Sequence, residues 1–279
     1  MTYESSLRLA SFLTVFLLIA IWEVFSPRRP LYTPKLHRWL INIGITIVNT
    51  LIIRSFITLS AAKFAATNSN FGLLNQFALP FPVVVIISIL LLDLIIYFQH
   101  VIFHAIPLFW RLHMTHHADL DIDVTTGLRF HPLELILSQA IKIGAILFIG
   151  PPVLAVIIFE ILLNGTSMFN HGNIRIPSKI DRILRLIVVT PDMHRVHHSV
   201  VIRETNSNFG FNFPLWDRLF RTYRAEPAAG HKKMVIGLSQ FRDPRLLTLP
   251  RLLVLPFVGD PGLYSPGIKG REPKSRDKD

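Results

Sequence analysis

The chain contains no cysteine. Disulfides, thiolate metal sites and cysteine-held iron–sulfur clusters are therefore excluded within it, and any electrons its chemistry needs come from another protein or a diffusible donor. Charge is also scarce. Only 17% of the 279 residues are charged, against about 25% in a soluble domain. Hydrophobic residues make up 51%, and the mean hydropathy is +0.44. This is the composition of a membrane protein, and the length allows one domain or at most two. Acidic side chains are the scarcer sign, 18 against 29 basic, for a net charge of +11. The basic excess forms no single stripe with interleaved aromatics, which argues against nucleic acid as a partner. Basic residues gathered on the cytoplasmic side, facing anionic lipid headgroups, account for it. No internal repeat and no His-Glu-x-x-His motif is present.

Long apolar runs are plentiful. The first covers residues 7–25. Glu4 precedes it, no small-x-small cleavage site follows, and Trp22-Glu23 occupies the place where cleavage would fall, so it reads as a retained span rather than a signal peptide. A basic loop with Arg28, Arg29, Lys35 and Arg38 comes next. Residues 40–62 and 79–103 read as the second and third spans. Residues 133–169 read as a helical hairpin broken at Gly150-Pro151-Pro152, spanning or shallowly re-entrant. Residues 172–266 form a polar, basic C-terminal part, and residues 267–279 a charged tail expected to be disordered. Leu246 to Val258 is apolar but too short to span, and is expected to dip into the interface. With the basic loop placed in the cytoplasm, the third span and the hairpin both return there.

What this topology delivers to one face is histidine. Eight of the twelve histidines fall in three short groups: His100 and His104; His113, His116 and His117; and His194, His197 and His198. Imidazole is the commonest ligand for iron, zinc and copper. Positions i, i+3 and i+4 share a helix face, so each group is expected to aim its rings in one direction. Eight ligands exceed the four or so of a tetrahedral zinc and suit two metal ions side by side.

The order HxxxH, HxxHH, HxxHH around apolar hairpins resembles the fatty acid hydroxylase/sterol desaturase superfamily, membrane-bound non-haem di-iron oxygenases. The resemblance runs from about Asp93 to Tyr223. It includes Leu108-Phe109-Trp110-Arg111-Leu112-His113, Arg129-Phe130-His131-Pro132-Leu133-Glu134, His194-Arg195-Val196-His197-His198-Ser199, and Asn208-Phe209-Gly210-Phe211 leading to Trp216-Asp217-Arg218-Leu219-Phe220. It implies that His100, His104, His113, His116, His117, His194, His197 and His198 are catalytic metal ligands. His171, in Phe169-Asn170-His171-Gly172, matches a ninth. The resemblance further implies two iron ions, O2 as co-substrate, a membrane lipid substrate and an external ferredoxin- or cytochrome b5-like donor. One departure is Val101, where many relatives carry arginine after the first histidine.

The remaining candidates have plainer readings. His131 is expected either to hydrogen-bond a neighbour such as Glu134 or to serve as a further ligand, and His37 and His231 to lie at the surface. Asp93, Asp119, Asp192, Glu134, Glu204 and Asp217 are the carboxylates available to orient ligands. Asp93, inside the third span, either orients a ligand, pairs with Arg54 or hydrogen-bonds a neighbouring helix. Asp192, Glu204 and Arg195 are expected at the surface. Trp216, Phe220 and Tyr223 are expected to form an interfacial aromatic stripe.

The reading that follows is an all-α polytopic membrane protein, a single integral-membrane domain over 1–279. Its transmembrane helices carry a cytoplasmic helical cap that holds a histidine-rich di-metal site. Its expected activity is hydroxylation of an unactivated lipid C–H bond with O2 and two electrons. The short loops and the lack of an endoplasmic-reticulum retention tail point to a bacterial inner membrane. Desaturation or ether-lipid oxygenation on the same scaffold stays open, as does the lipid itself. Two readings of another class are a membrane zinc hydrolase, which the missing His-Glu-x-x-His disfavours, and a metal transporter or sensor, whose ligands belong nearer mid-membrane.

Overall fold

A computed structural model of the protein describes residues 3–56, 61–68 and 71–264. Helices in chain order are α1 (Tyr3–Phe25), α2 (Lys35–Phe56), α3 (Ala61–Thr67), α4 (Phe81–Ala105), α5 (Pro107–His117), α6 (Pro132–Ile149), α7 (Val153–His171), α8 (Ser178–Leu184), α9 (Pro191–His197), α10 (Ile202–Thr205), α11 (Leu215–Leu219), α12 (Gly230–Lys233) and α13 (Leu249–Val258). Among the described residues no strand forms beyond two isolated bridge pairs, Pro27 with Ile174 and Ser199 with Ile236. Five helices, α1, α2, α4, α6 and α7, are long and apolar enough to cross a membrane.

Proline punctuates these helices. It stands at the first or second position of α4, α5, α6, α9 and α13, where its missing N–H costs no hydrogen bond and its fixed φ suits the first turn. The α6–α7 hairpin turns on Gly150, at φ 69°, followed by two prolines that cannot continue α6. A Cβ at Gly150 would lie 2.3 Å from the Phe71 carbonyl oxygen and from Asn75, so the turn packs too closely on the 71–75 segment for any side chain.

Three apolar clusters join the spans. Ile19 and Ala20 of α1 meet Met168 of α7. Leu92 and Ile96 of α4 meet Ala145, Ile146, Val156 and Phe159 of the hairpin. Ile41 and Ile45 of α2 meet Trp110 and Met114 of α5 and Leu252 and Leu255 of α13. The hairpin also carries a buried charge. Glu160 of α7 pairs with Arg8 of α1 at 2.7 Å and with Lys142 of α6 at 2.5 Å, so the carboxylate is neutralised from both sides. Chain direction alternates from span to span. α1, α4 and α7 end, and α2 and α6 begin, at one end of the bundle, and α5 and α9 sit there too.

The second span starts earlier than expected. Its helix is described over Lys35–Phe56 and a short helix over Ala61–Thr67; residues 57–60 of the expected span lie outside the described residues. Hydropathy placed the start too late because Arg38 looked like loop. Arg38 is instead buried inside α2, bound to Asp119 at 2.8 Å and Asp123 at 2.6 Å. Lys35 pairs with Glu23 and Arg28 with Asp192, so much of the expected basic loop is neutralised locally. α13 exposes Val254, Phe257 and Val258, in keeping with an interfacial helix. The pairing of Asp93 with Arg54 involves a side chain outside the described set, and the tail 267–279 lies outside the described residues.

Candidate metal centre

All nine expected histidines converge, and all are buried. They divide into two groups: His100, His104, His113, His117 and His197, and His116, His171, His194 and His198. Within each group the ligand nitrogens lie within 4.8 Å of one another. The expectation that each cluster aims in one direction is corrected by this division. Neighbours on a helix diverge by about 100°, while i and i+4 align. His113 and His117 therefore join one group and His116 the other. His194 and His198 join one group and His197 the other. Each HxxHH motif supplies both centres, which ties them into one unit.

The rings are oriented from behind. His100 Nδ1 lies 2.8 Å from the Phe209 carbonyl oxygen, His116 Nδ1 3.1 Å from that of Arg129, His171 Nδ1 2.6 Å from that of Ser167, and His197 Nδ1 2.8 Å from that of Ser207. A carbonyl only accepts, so each Nδ1 carries the proton and each Nε2 offers its lone pair inward. His113 Nδ1 donates to Glu134 Oε1 at 2.6 Å, and His104 Nδ1 to Asn206 Oδ1 at 3.2 Å. Such partners are the usual means of fixing a metal-binding imidazole.

The residues fit a pair of transition-metal ions. Nε2–Nε2 separations of 3.2 Å (His113–His100) and 3.1 Å (His171 to His116, His194 and His198) match ligands each about 2 Å from a shared ion. Buried Nε2 atoms of His104, His117 and His197 have no hydrogen-bond partner. An unpaired buried polar atom is costly, and here several point at common centres. Burial, with neighbouring imidazoles adding to it, holds His116, His117, His194 and His198 well below the usual histidine range and His197 at about 3. These five rings are therefore neutral, which is the ligating form.

The segment from Asn206 to Asp217 is the second support. Asp93 accepts hydrogen bonds from Asn212 Nδ2 and Trp216 Nε1, both at 2.8 Å. Of its three readings, the structure realises the bond to a neighbouring element. Asp217 accepts from the Phe209 and Gly210 amides at 2.8 and 2.9 Å, and a Cβ at Gly210 would sit 2.7 Å from that carboxylate. Together they hold the loop whose Asn206, Ser207 and Phe209 oxygens orient His104, His197 and His100. Sequence reasoning missed these oxygens: the Ser207 and Phe209 carbonyls carry no residue signature, and the Asn206 side chain lies 102 residues from His104. Ring packing closes the site: Phe130 stacks on His116 with centroids 4.5 Å apart, and Phe211 lies 5.1 Å from His100.

Several lesser expectations are corrected. His131 stands outside both groups, and it does not bond Glu134. Its Nδ1 caps α6 by accepting from the Leu133 amide, and its Nε2 lies 3.1 Å from the Leu253 carbonyl. Arg195 is fully buried, bound to Asp192 and the Gly172 carbonyl. Glu204 is buried and accepts from the Ala228 amide, and His231 is buried beside Glu226. Arg195, Glu204 and His231 looked like surface because hydropathy scores each residue without the partner that the fold supplies. Asp119, 2% exposed, serves Arg38 rather than a histidine. Trp216 is buried on Asp93 and Phe220 stacks on Tyr97, so no interfacial stripe forms; α11 ends at Leu219 and breaks the helical spacing. His37 is exposed, as expected.

Residues 85–222 match the model of the fatty acid hydroxylase family. With its histidine centre set on a bundle of membrane-length helices, the chain belongs to that family. Among curated proteins it is 27% identical over 143 residues to the ornithine lipid hydroxylase OlsE of Rhizobium tropici, covering 51% of this chain and 42% of the relative. It is 30% identical over 148 residues to human alkylglycerol monooxygenase, covering 51% of this chain and 30% of the relative. The chain thus spans less than half the length of these two relatives. No solved structure matches.

Proposed function

We propose that this chain is a membrane-bound di-iron oxygenase that hydroxylates a C–H bond of a lipid, R–H + O2 + 2 e− + 2 H+ → R–OH + H2O. The observation that carries the reading is the pair of buried histidine groups at one end of a five-helix apolar bundle. A neutral, nitrogen-rich donor set suits iron better than magnesium or calcium. Iron bound there would supply the O2 reduction and the oxidising power that an unactivated C–H bond demands. The rest falls to the protein. His113 and His116, with their partners Glu134 and the Arg129 carbonyl, join the two centres through one helix. The carbonyls of Phe209 and Ser207 keep His100 and His197 in one tautomer. Phe130, Phe209 and Phe211 exclude water around the rings and present an apolar wall to a lipid chain.

The relatives named as lipid hydroxylase and alkylglycerol monooxygenase support a lipid substrate, which would enter from the bilayer beside the spans. Alkylglycerol monooxygenase also favours a second reading, oxygenation beside an ether oxygen on the same scaffold. The ferredoxin- or cytochrome b5-like donor is external in this reading. In this reading the histidine end faces the cytoplasm, on the weight of basic residues that follow α1 and α7, and the short loops support a bacterial inner membrane.

The test is elemental analysis of detergent-purified protein from iron-supplied cells, joined to lipid analysis of the same cells. About two irons per chain and an oxygenated lipid that disappears in His197→Ala are expected. No metal, or a single zinc, would refute the di-iron reading.

A further inference from the structure

A basic cleft of about 470 Å³ lies outside the histidine site, in the size range of small-ligand pockets. Two of its walls are chain segments leaving neighbouring spans. Arg28 lies three residues beyond Phe25, the end of α1, and Arg175 four beyond His171, the end of α7. The two exits are stitched together: the Arg28 amide donates to the Asn173 carbonyl at 2.9 Å, and the Arg175 amide to the Ser26 carbonyl at 2.8 Å. The cleft therefore opens where two spans end, at the depth of lipid headgroups.

Helix α8 and the turn that follows it mark the same level independently. Ile180, Ile183, Leu186 and Ile187 are 51–68% exposed, beside Lys179 and Arg182. An exposed apolar edge next to basic groups is the pattern of a segment lying in the membrane interface.

The cleft's charges are not balanced internally. Arg28 pairs with Asp192, Arg185 pairs with Asp181, and Glu226 on the rim faces His231. Among the described residues no carboxylate pairs with Arg175 or Arg182. Arg185, more than nine-tenths buried in the wall, has an Nε without a partner. Guanidinium groups so placed match phosphate oxygens in a forked geometry.

We propose that this cleft binds the phosphate of an anionic phospholipid, with Arg175 and Arg182 as the recognition groups and the apolar edge of α8 against the acyl chains. The proposal rests on α1 and α7 spanning the membrane, and not on the chemistry of the metal site. Asp192, on the inner wall, is also held by Arg195 and lies in the first turn of α9.

The test uses the full chain in detergent, titrated with dioctanoyl phosphatidylglycerol, dioctanoyl phosphatidylcholine and inorganic phosphate in turn. Each basic group near an anionic surface contributes enough that Arg175→Gln or Arg182→Gln should weaken phosphatidylglycerol binding about fivefold, and the double variant about thirtyfold. Phosphatidylcholine and inorganic phosphate should bind far more weakly than phosphatidylglycerol. Equal phosphatidylglycerol affinity in wild type and double variant would overturn the site. Phosphate binding as tightly as the lipid would overturn the lipid assignment. Metal content should be unchanged in the double variant, and its loss would show that the cleft serves folding instead. Carbonate extraction of wild-type membranes reports separately on the spans, so a failed bilayer reading is told apart from a failed lipid site.

Discussion

Replacing Glu134 with glutamine tests how the centre is oriented. Glu134 is buried at the start of α6 and accepts the His113 Nδ1 proton at 2.6 Å. Glutamine keeps the volume and one acceptor oxygen but removes the charge. A charge-assisted hydrogen bond of this kind is worth about 1.5–3 kcal/mol, which is roughly a 10- to 150-fold loss in the affinity that His113 lends to its ion. Outer partners of metal-bound histidines lose about 10- to 100-fold when altered, in agreement. Only the group of His100, His104, His113, His117 and His197 should suffer, because no ligand of the other group touches Glu134. The assay is chelator competition on iron-loaded, detergent-purified protein, followed by elemental analysis. One of the two ions should leave at about tenfold or more lower chelator concentration while the second is retained. Two ions lost together, or neither weakened, would refute the assignment of Glu134 to one centre.

Other outcomes follow from the same structure. His197→Ala should abolish loading of the five-histidine group and activity while leaving the protein in the membrane, whereas His131→Ala should keep both metals and lose about 1 kcal/mol of stability as a missing helix cap; metal analysis and thermal melts separate the two. Arg38→Gln leaves Asp119 and Asp123 buried without their partner and should cost about 3–5 kcal/mol, seen as a lowered melting temperature. Burial lifts the Asp217 carboxyl to about 6. An acid raised in the folded state binds more protons there than in the unfolded chain, so stability should fall as pH rises from about 4 to 6, by ~3 kcal/mol. Asp217→Asn should flatten the melting temperature in that window, and parallel curves for both proteins would sink the argument.

The physical reasons for success and failure in the sequence are specific. Spans and hairpin were legible because about 20 apolar residues in a row have few other uses. The turn at Gly150-Pro151-Pro152 was legible because no helix continues through two prolines. The histidine clusters were legible because imidazole carries the chemistry in its own side chain. Arg38, Arg195, Glu204 and His231 were misread as exposed because hydropathy scores a residue alone, and a buried charge is tolerable only with a partner that the chain brings from elsewhere. Arg38 lies 81 residues from Asp119.

The sequence by itself determined the solvent, the helical class, the three histidine clusters and the shared end of the bundle, since each follows from composition or local spacing; His171 was added by the family resemblance. The tertiary structure alone decided how the ligands divide between two centres, which oxygens set each tautomer, and that Asp93 and Asp217 brace a loop rather than a metal. Those choices depend on side-chain directions and on backbone carbonyls brought from about 100 residues away, such as Phe209 to His100, and no local pattern encodes them.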